Sequence, residues 1–434
     1  MTAARTGTPG EAARPAVPVF RGNIAVLAVT AAANVAGQMV WYPILPLVLR
    51  DLGASDFEVS LAYGVMVVVG ALGQMPGGLF ADRWGRKPAV VLPTFVVAAA
   101  LFGAVFAPSW VWLALAAAVQ SACTAFQTAG FITLNAESVP PGKAGEAFAY
   151  FELFASLGMG LGPALGAALL PWLPVRGLFA VSAGIFLVSA VIRQVALDET
   201  HRPARSARAR PGRTGPDLAG RAGPDLAGPD CAKPRVVRRF GPADLFRGEL
   251  VWLTLTAVGL LTATNLTVSG PFIPLYAHDA IGLAKQKVDL LFVIGPLVAA
   301  ASGLAMGRLV ARRGGGAAVA WGLGGVGVAC AGVLLASTFG WALVTVSAAA
   351  VGLQLAWVGY DTLRAEVATP EERGRAVGLL GALGSAAGAV LLPVMGRLAE
   401  SVGAGPAIAI GVVFCAAGAA AAVGASRWER GKWR

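Results

Sequence analysis

The sequence predicts an all-α polytopic membrane protein, with twelve transmembrane helices in two six-helix pseudo-symmetric bundles, and three observations predict it. First, 434 residues of which 56% are hydrophobic and only 13% charged, at a mean hydropathy of +0.70, are too apolar for a soluble globular chain. Second, apolar runs of about 20 residues, the length that crosses a hydrocarbon core, recur between short charged segments. Third, the halves repeat. Glu137 with Gly145 returns as Glu366 with Gly374, and Gly78 returns as Gly307, each 229 residues later. Pro43-Ile44-Leu45-Pro46 returns as Pro271-Phe272-Ile273-Pro274, one residue off that register.

In chain order, residues 1–21 are rich in Ala, Pro, Gly and Arg and lack the apolar core and small-residue cleavage site of a signal peptide, so they are expected to be a disordered tail. Six spans follow near 22–49, 58–80, 89–107, 110–136, 146–171 and 175–196, which makes 22–197 the first bundle. Residues 198–249 switch to Pro, Gly and Arg, with Gly-Pro-Asp-Leu-Ala-Gly written twice at 215–220 and 223–228, and read as a solvated linker. Six more spans near 250–276, 286–312, 316–337, 340–365, 373–399 and 404–426 make the second bundle, 250–426, ahead of a short tail, 427–434.

An even span count puts both termini on one side, and basic residues choose the side. The linker alone holds eleven Lys and Arg, from Arg202 to Arg247, whereas the opposite loops offer mainly Arg50, Arg176, Lys285 and Lys287. By the positive-inside rule both termini are cytoplasmic in a multi-pass cell membrane protein. The net charge of +11 is thereby read as topology. No nucleic-acid partner is expected, because no aromatic-interleaved basic module accompanies it. The four cysteines are scattered and only two histidines exist, so no metal site is expected, and no nucleophilic or phosphate-loop constellation suggests an enzyme.

The most specific stretch is Gly78-Leu79-Phe80-Ala81-Asp82-Arg83-Trp84-Gly85-Arg86-Lys87, one acid and three cations between two apolar runs. Charges of that density are costly inside lipid, so the stretch is a tight loop at a membrane surface. Gly78 would admit a close helix, Asp82 could face a neighbouring helix N-terminus, and Arg83, Arg86 and Lys87 could face lipid phosphate or a second carboxylate. Gly-x-x-x-Asp-Arg-x-Gly-Arg-Lys resembles the loop signature between helices 2 and 3 of the major facilitator superfamily of secondary transporters. The resemblance covers roughly residues 22–426 and implies two bundles rocking about a midplane site. It also implies a conformational latch of Gly78, Asp82, Arg83, Gly85, Arg86 and Lys87, with Glu137 as partner. The second-half copy, Gly307 to Gly314, has Ala311 in place of the acid, so the latch should be asymmetric.

Span 5 carries Gly158, Gly162, Pro163 and Gly166, a small-residue ridge with one missing backbone donor. Similar Gly-x-x-x-Gly-Pro-x-x-Gly runs mark the antiporter branch of that family, although Ala149 and Ala167 stand here where glycines are usual. Span 4 lacks the arginine that proton antiporters of the family often carry. Two acids remain as candidates for proton coupling, Glu152 on span 5 and Asp361 on span 10, the latter competing with an ion pair to Arg364. Helical spacing groups Asn34 with Gln38, Gln120 with Gln127, and Gln354 with Trp357 and Asp361, and Asn265 faces them from span 7, as lining of an inward cavity. That lining is apolar with amides and no cation cluster, which suits neutral or cationic organic molecules.

The expectation is therefore a monomeric secondary transporter of the drug-efflux type. It should export small lipophilic or cationic compounds by alternating access, with no cofactor and the proton gradient as energy source. A sugar or metabolite permease of the same fold, or a sensor that has lost transport, are the alternatives.

Overall fold

The computed structural model describes residues 20–139, 143–200, 249–367 and 373–432. The N-terminal tail through residue 19 and nearly all of the linker with its twin hexapeptides lie outside the described residues. Within them the regular structure is fifteen α-helices. Those of the first half are α1 (Asn23–Met39), α2 (Leu45–Asp51), α3 (Asp56–Trp84), α4 (Arg86–Ala104), α5 (Trp110–Glu137), α6 (Ala144–Leu169) and α7 (Val175–Ala196). The second half contributes α8 (Glu249–Leu266), α9 (Phe272–Asp279), α10 (Lys285–Leu291), α11 (Ile294–Arg313), α12 (Gly315–Leu334), α13 (Phe339–Val367), α14 (Arg373–Val402) and α15 (Gly405–Lys432).

Ten of the helical segments are long and apolar enough to cross a bilayer, and two shorter apolar helices, Asn23–Met39 and Leu250–Leu266, stand where spans 1 and 7 were expected to run unbroken. Proline is the reason for the difference. The ring at Pro43 cannot donate a backbone hydrogen bond and disfavours α geometry just before it, so α1 stops at Met39 and restarts as α2. Pro271 does the same between α8 and α9. The paired Pro-x-x-Pro runs thus mark paired breaks.

The repeat is visible in the backbone. Gly53 and Gly282, and likewise Gly85 and Gly314, are 229 apart, and all four take positive φ (93°, 76°, 111° and 85°), a left-handed turn that glycine adopts without steric penalty. Gly130 on α5 packs on the Arg86 carbonyl at the start of α4; 229 residues on, Gly359 on α13 packs on the Gly315 carbonyl at the start of α12. Within the first half α1 packs on α6 and α7, and α5 on α3 and α4; within the second, α12 packs on α13 and α15, and α8 on α14 and α15. The halves meet along α3 with α14 and along α6 with α10 and α11.

Glycine sets the closest seams, because helix backbones can touch only where no Cβ intervenes. On α3 the tight positions are Gly73 and Gly77, which lie on the backbone of Ala122 and Phe126 of α5. Gly78, expected to make that approach, has only the Ala129 methyl nearby, at 3.8 Å from its Cβ position. One residue of helical rotation, about 100°, separates the two faces. On α6, Gly158 and Gly162 lie on α1, while Gly160 turns to Leu297 of α11 and to the carbonyl of Val293, which caps α11, in the other half.

Candidate functional site

The two ends of the molecule differ. At the end opposite the Gly78–Lys87 loop the halves are pinned together. Arg50 grips Asp56 through Nε and Nη2 at 2.5 and 2.6 Å and reaches Asp279 of the second half with Nη1 at 2.7 Å. Two carboxylates, one from each half, thus face one guanidinium through charge-assisted hydrogen bonds. Lys285 pairs with Asp51, Gln286 donates to the Ala167 carbonyl at 3.1 Å, and the Phe57 amide donates to Glu400 at 3.2 Å. At the two helix breaks, Tyr42 donates to the Ser269 carbonyl at 3.0 Å. Beneath them Gly396 of α14 lies against Ser60 and the Asp56 carbonyl of α3.

Below this closed end lies a cavity of about 300 Å³ between the halves, lined by Tyr42, Tyr63, Met159, Phe292, Gln354 and Trp357 among others. Adjoining it and sharing Tyr42, Tyr63 and Ser269 is a smaller one of about 110 Å³, lined by Gln38, Gln120, Asn265 and Trp41. Sequence spacing therefore placed Gln38, Gln120, Asn265, Gln354 and Trp357 together. Gln120 is 1% exposed and neither of its amide atoms has a protein partner, in contrast with the general satisfaction of buried polar groups.

Asn34 and Gln127 belong elsewhere. Both serve Arg193 of α7, a residue the sequence reading passed over, which is 1% exposed in the core of the first half. Its guanidinium donates to Thr30 and Thr94 at 2.9 Å each and to Gln127 at 3.0 Å. With its amide oxygen turned to the guanidinium, Asn34 accepts at 3.1 and 3.2 Å and donates to Ser189 at 2.8 Å. Phe131 covers the cation at 5.4 Å. A cation buried among neutral acceptors locks α1, α4, α5 and α7 together, and these two amides are among its ties.

At the loop end an ion pair among the described residues lies within the first half. Arg86 pairs with Glu137 at 3.3 Å, and Thr200 donates to the other Glu137 oxygen at 2.5 Å. The N-terminus of α4 is occupied by Glu199, which accepts from the backbone amides of Arg86 and Lys87 at 3.1 and 3.0 Å. That is the favoured place for an anion, where unsatisfied N–H groups and the helix dipole converge. Gly85 is needed twice: its φ is positive, and a Cβ there would come within 2.6 Å of the Glu199 carboxylate. Asp82 is exposed and makes no ion pair with a described residue, and Arg83 lies over the Trp84 ring at 4.9 Å.

Of the two coupling candidates, Glu152 lies on α6 in the first half and Asp361 on α13 in the second, and both are exposed. The Arg364 side chain lies outside what is described. A third acid, Asp289 on α10, was not singled out from the sequence; it is fully buried, and neither carboxylate oxygen has a hydrogen-bond partner.

Two helical bundles closed around a cavity at one membrane face define a solute-carrier architecture. The sequence profile described as Major Facilitator Superfamily matches residues 27–391, and the chain belongs to that family. Relatives include the multi-drug resistance efflux pump PmrA of Streptococcus pneumoniae, 24% identical over 38% of this chain and 43% of that protein. Another is a probable 4-methylmuconolactone transporter of Cupriavidus pinatubonensis, 28% identical over 38% of this chain and 40% of its own. The chain spans less than half the length of the curated relatives it matches. In fold it is similar to a bacterial homologue of the human lysosomal transporter Spinster in an inward-facing, occupied conformation, with TM-score 0.68, 15% identity, and 93% and 96% of the two chains covered.

Proposed function

We propose that the chain is a proton-coupled exporter of small lipophilic or cationic organic compounds, working by alternating access with the loop face and both termini in the cytoplasm. In this reading α1 with α2, and α8 with α9, are broken spans that bring the count to twelve. The bundles are 22–197 and 250–426, and one chain suffices because it contains both halves. The observation that carries the reading is the central cavity, about 300 Å³ between the halves and walled by tyrosine, tryptophan, methionine and phenylalanine. That is the low end of ligand-site volumes, roughly 300–1,000 Å³, and its apolar wall suits a compound that partitions from lipid. The likeness to an efflux pump supports the direction.

The latch and the coupling follow from the same geometry. Arg86, Glu137 and Gly85 hold the loop of the first half in shape, leaving exposed Asp82 and Arg83 to meet the second half when the loop face closes. Glu152 and Asp361, one exposed acid on each half, are the groups through which a proton would act in this reading. The amide corner of Gln38, Gln120 and Asn265 favours one second reading, a carrier of a hydroxylated or carbonyl-bearing metabolite.

Inverted vesicles carrying the protein, given a pH gradient and a panel of dyes, antibiotics and sugars, test both. Gradient-driven accumulation of a lipophilic dye, lost in Glu152→Gln, is the expected result. Accumulation of a sugar alone selects the second reading, and no transport of anything overturns both in favour of a sensor.

A further inference from the structure

Asp289 is an anomaly that the ion pairs around it throw into relief. The short helix α10 places Lys285 on Asp51 and Gln286 on Ala167 across the halves, and one turn further on it turns Asp289 into the same interface. There the carboxylate is 0% exposed, and both oxygens lack a partner. Oδ2 lies 3.0 Å from where a Gly166 Cβ would stand, and the Val40 carbonyl, at the break of span 1, crowds the same point. The glycine at the end of the α6 ridge is therefore what admits the acid.

The groups that could compensate a negative charge are engaged elsewhere or turned outward. Elements packed on α10 carry Tyr276, His278 and Asp279 (α9), Glu152 (α6), Tyr360 and Asp361 (α13), and Arg308, Arg312 and Arg313 (α11), and α10 itself carries Lys285 and Lys287. Of these, Lys285 holds Asp51, His278 contacts the Leu283 carbonyl, Tyr276 donates to the Leu334 carbonyl, and Lys287 is exposed. None is within hydrogen-bonding distance of Asp289. Burying an uncompensated carboxylate is strongly unfavourable. A neutral carboxyl is isosteric, costs far less, and could donate to an acceptor such as the Val40 carbonyl.

We infer that Asp289 is a proton-binding site of the interface opposite the loop, and that this face closes only when the Asp289 carboxyl holds a proton taken from the compartment on that side. On opening, α10 separates from α6, water reaches the carboxyl, and the O–H bond breaks heterolytically to give carboxylate and a hydrated proton; on closing, the carboxylate takes a proton back. Acidity on that side therefore favours the closed face. The inference rests on the alternating-access reading above but on no particular substrate.

The test is hydrogen–deuterium exchange of the full chain in nanodiscs without substrate, following the peptide that covers 285–292 from pH 6 to 9, corrected for intrinsic exchange. In the wild type, opening should rise with pH by up to about tenfold per unit, the limit for one proton. In Asp289→Asn the peptide should stay protected at every pH. Asp289→Glu keeps a titrating group on a longer stem that fits less well against Gly166, so its transition should move to lower pH; an unmoved transition overturns the assignment even if the Asn variant does not fold. A flat wild-type profile, or a slope that survives in Asp289→Asn, also overturns it. Protection that follows sodium against choline at fixed pH would make the site a metal-cation site and overturn the proton. Gly396→Val separates this from the broader reading. If that variant does not expose 285–292, the face does not open at all and alternating access fails; if it does while the wild type ignores pH, only the Asp289 inference fails.

Discussion

On the face opposite the loop, Arg50 reaches Asp279 across the two halves at 2.7 Å; on the loop face, Arg86 reaches Glu137 at 3.3 Å without leaving the first half. Both are arginine–carboxylate pairs near a membrane surface, yet the first ties two bodies together and the second stiffens one. The same division holds for glycine. Gly396 lets α14 touch the α3 backbone of the other half, whereas Gly307, the second-half copy of Gly78 on the loop face, has nothing within 4 Å of its Cβ position among the described residues. Residue type alone thus does not say which contacts must break during a conformational change. Whether the partner lies in the other half does.

The strongest way to break the comparison is Gly396→Val. The added side chain would meet Ser60 and the Asp56 carbonyl, at 2.5 and 2.6 Å from the Cβ alone, so closure should be lost and accumulation in vesicles should fall to background. Arg50→Ala comes next: it strands Asp56 and Asp279, and breaking a part-buried charged hydrogen bond costs roughly 1.5–3 kcal/mol. A shift of ten- to a hundredfold toward the open face, read as faster amide exchange in α2 and α9, is expected. Exchanging the pair, Arg50→Asp with Asp279→Arg, should recover only part of it, because Asp56 still loses its partner.

Glu199→Gln should act on the loop face alone, lowering the unfolding temperature by the few degrees that go with about 0.3–1 kcal/mol for an anion at a helix N-terminus and leaving exchange at the opposite face unchanged. The smallest effect belongs to Gly307→Ala, which fills open space and adds up to about 1 kcal/mol of helix propensity. It should transport like wild type and melt no lower. A loss of transport there would show that the loop face meets the other half in a second state.

Much of this was legible in the sequence because it is written in one dimension. A recurrence at 229 residues, proline pairs that interrupt spans, and glycines four apart on one helix need no neighbours to be recognised, and two pairs of positive-φ glycines, Gly53 with Gly282 and Gly85 with Gly314, fall on that register. What was not legible depends on which side chain faces which. Arg193 lies three residues before the end of α7, where a cation is ordinarily interfacial; here Thr30, Thr94 and Gln127 converge on it from three other helices. Gln127 and Asn34 share their helical faces with true cavity residues one or two turns away, and a small rotation of the helix gave them to the arginine. Glu199 stood just past the last span, in what read as linker, and Gly77 and Gly78 differ only by the turn of one residue.

Arg50 and Asp279 are also 229 positions apart, so they are the same site in the two copies of the repeat. A residue near a twofold axis confronts its own image, and two identical images could offer only arginine against arginine or aspartate against aspartate, both repulsive. The attraction that seals this face exists because the copies have diverged there. A protein assembled from two first halves would keep the architecture and lose that seal.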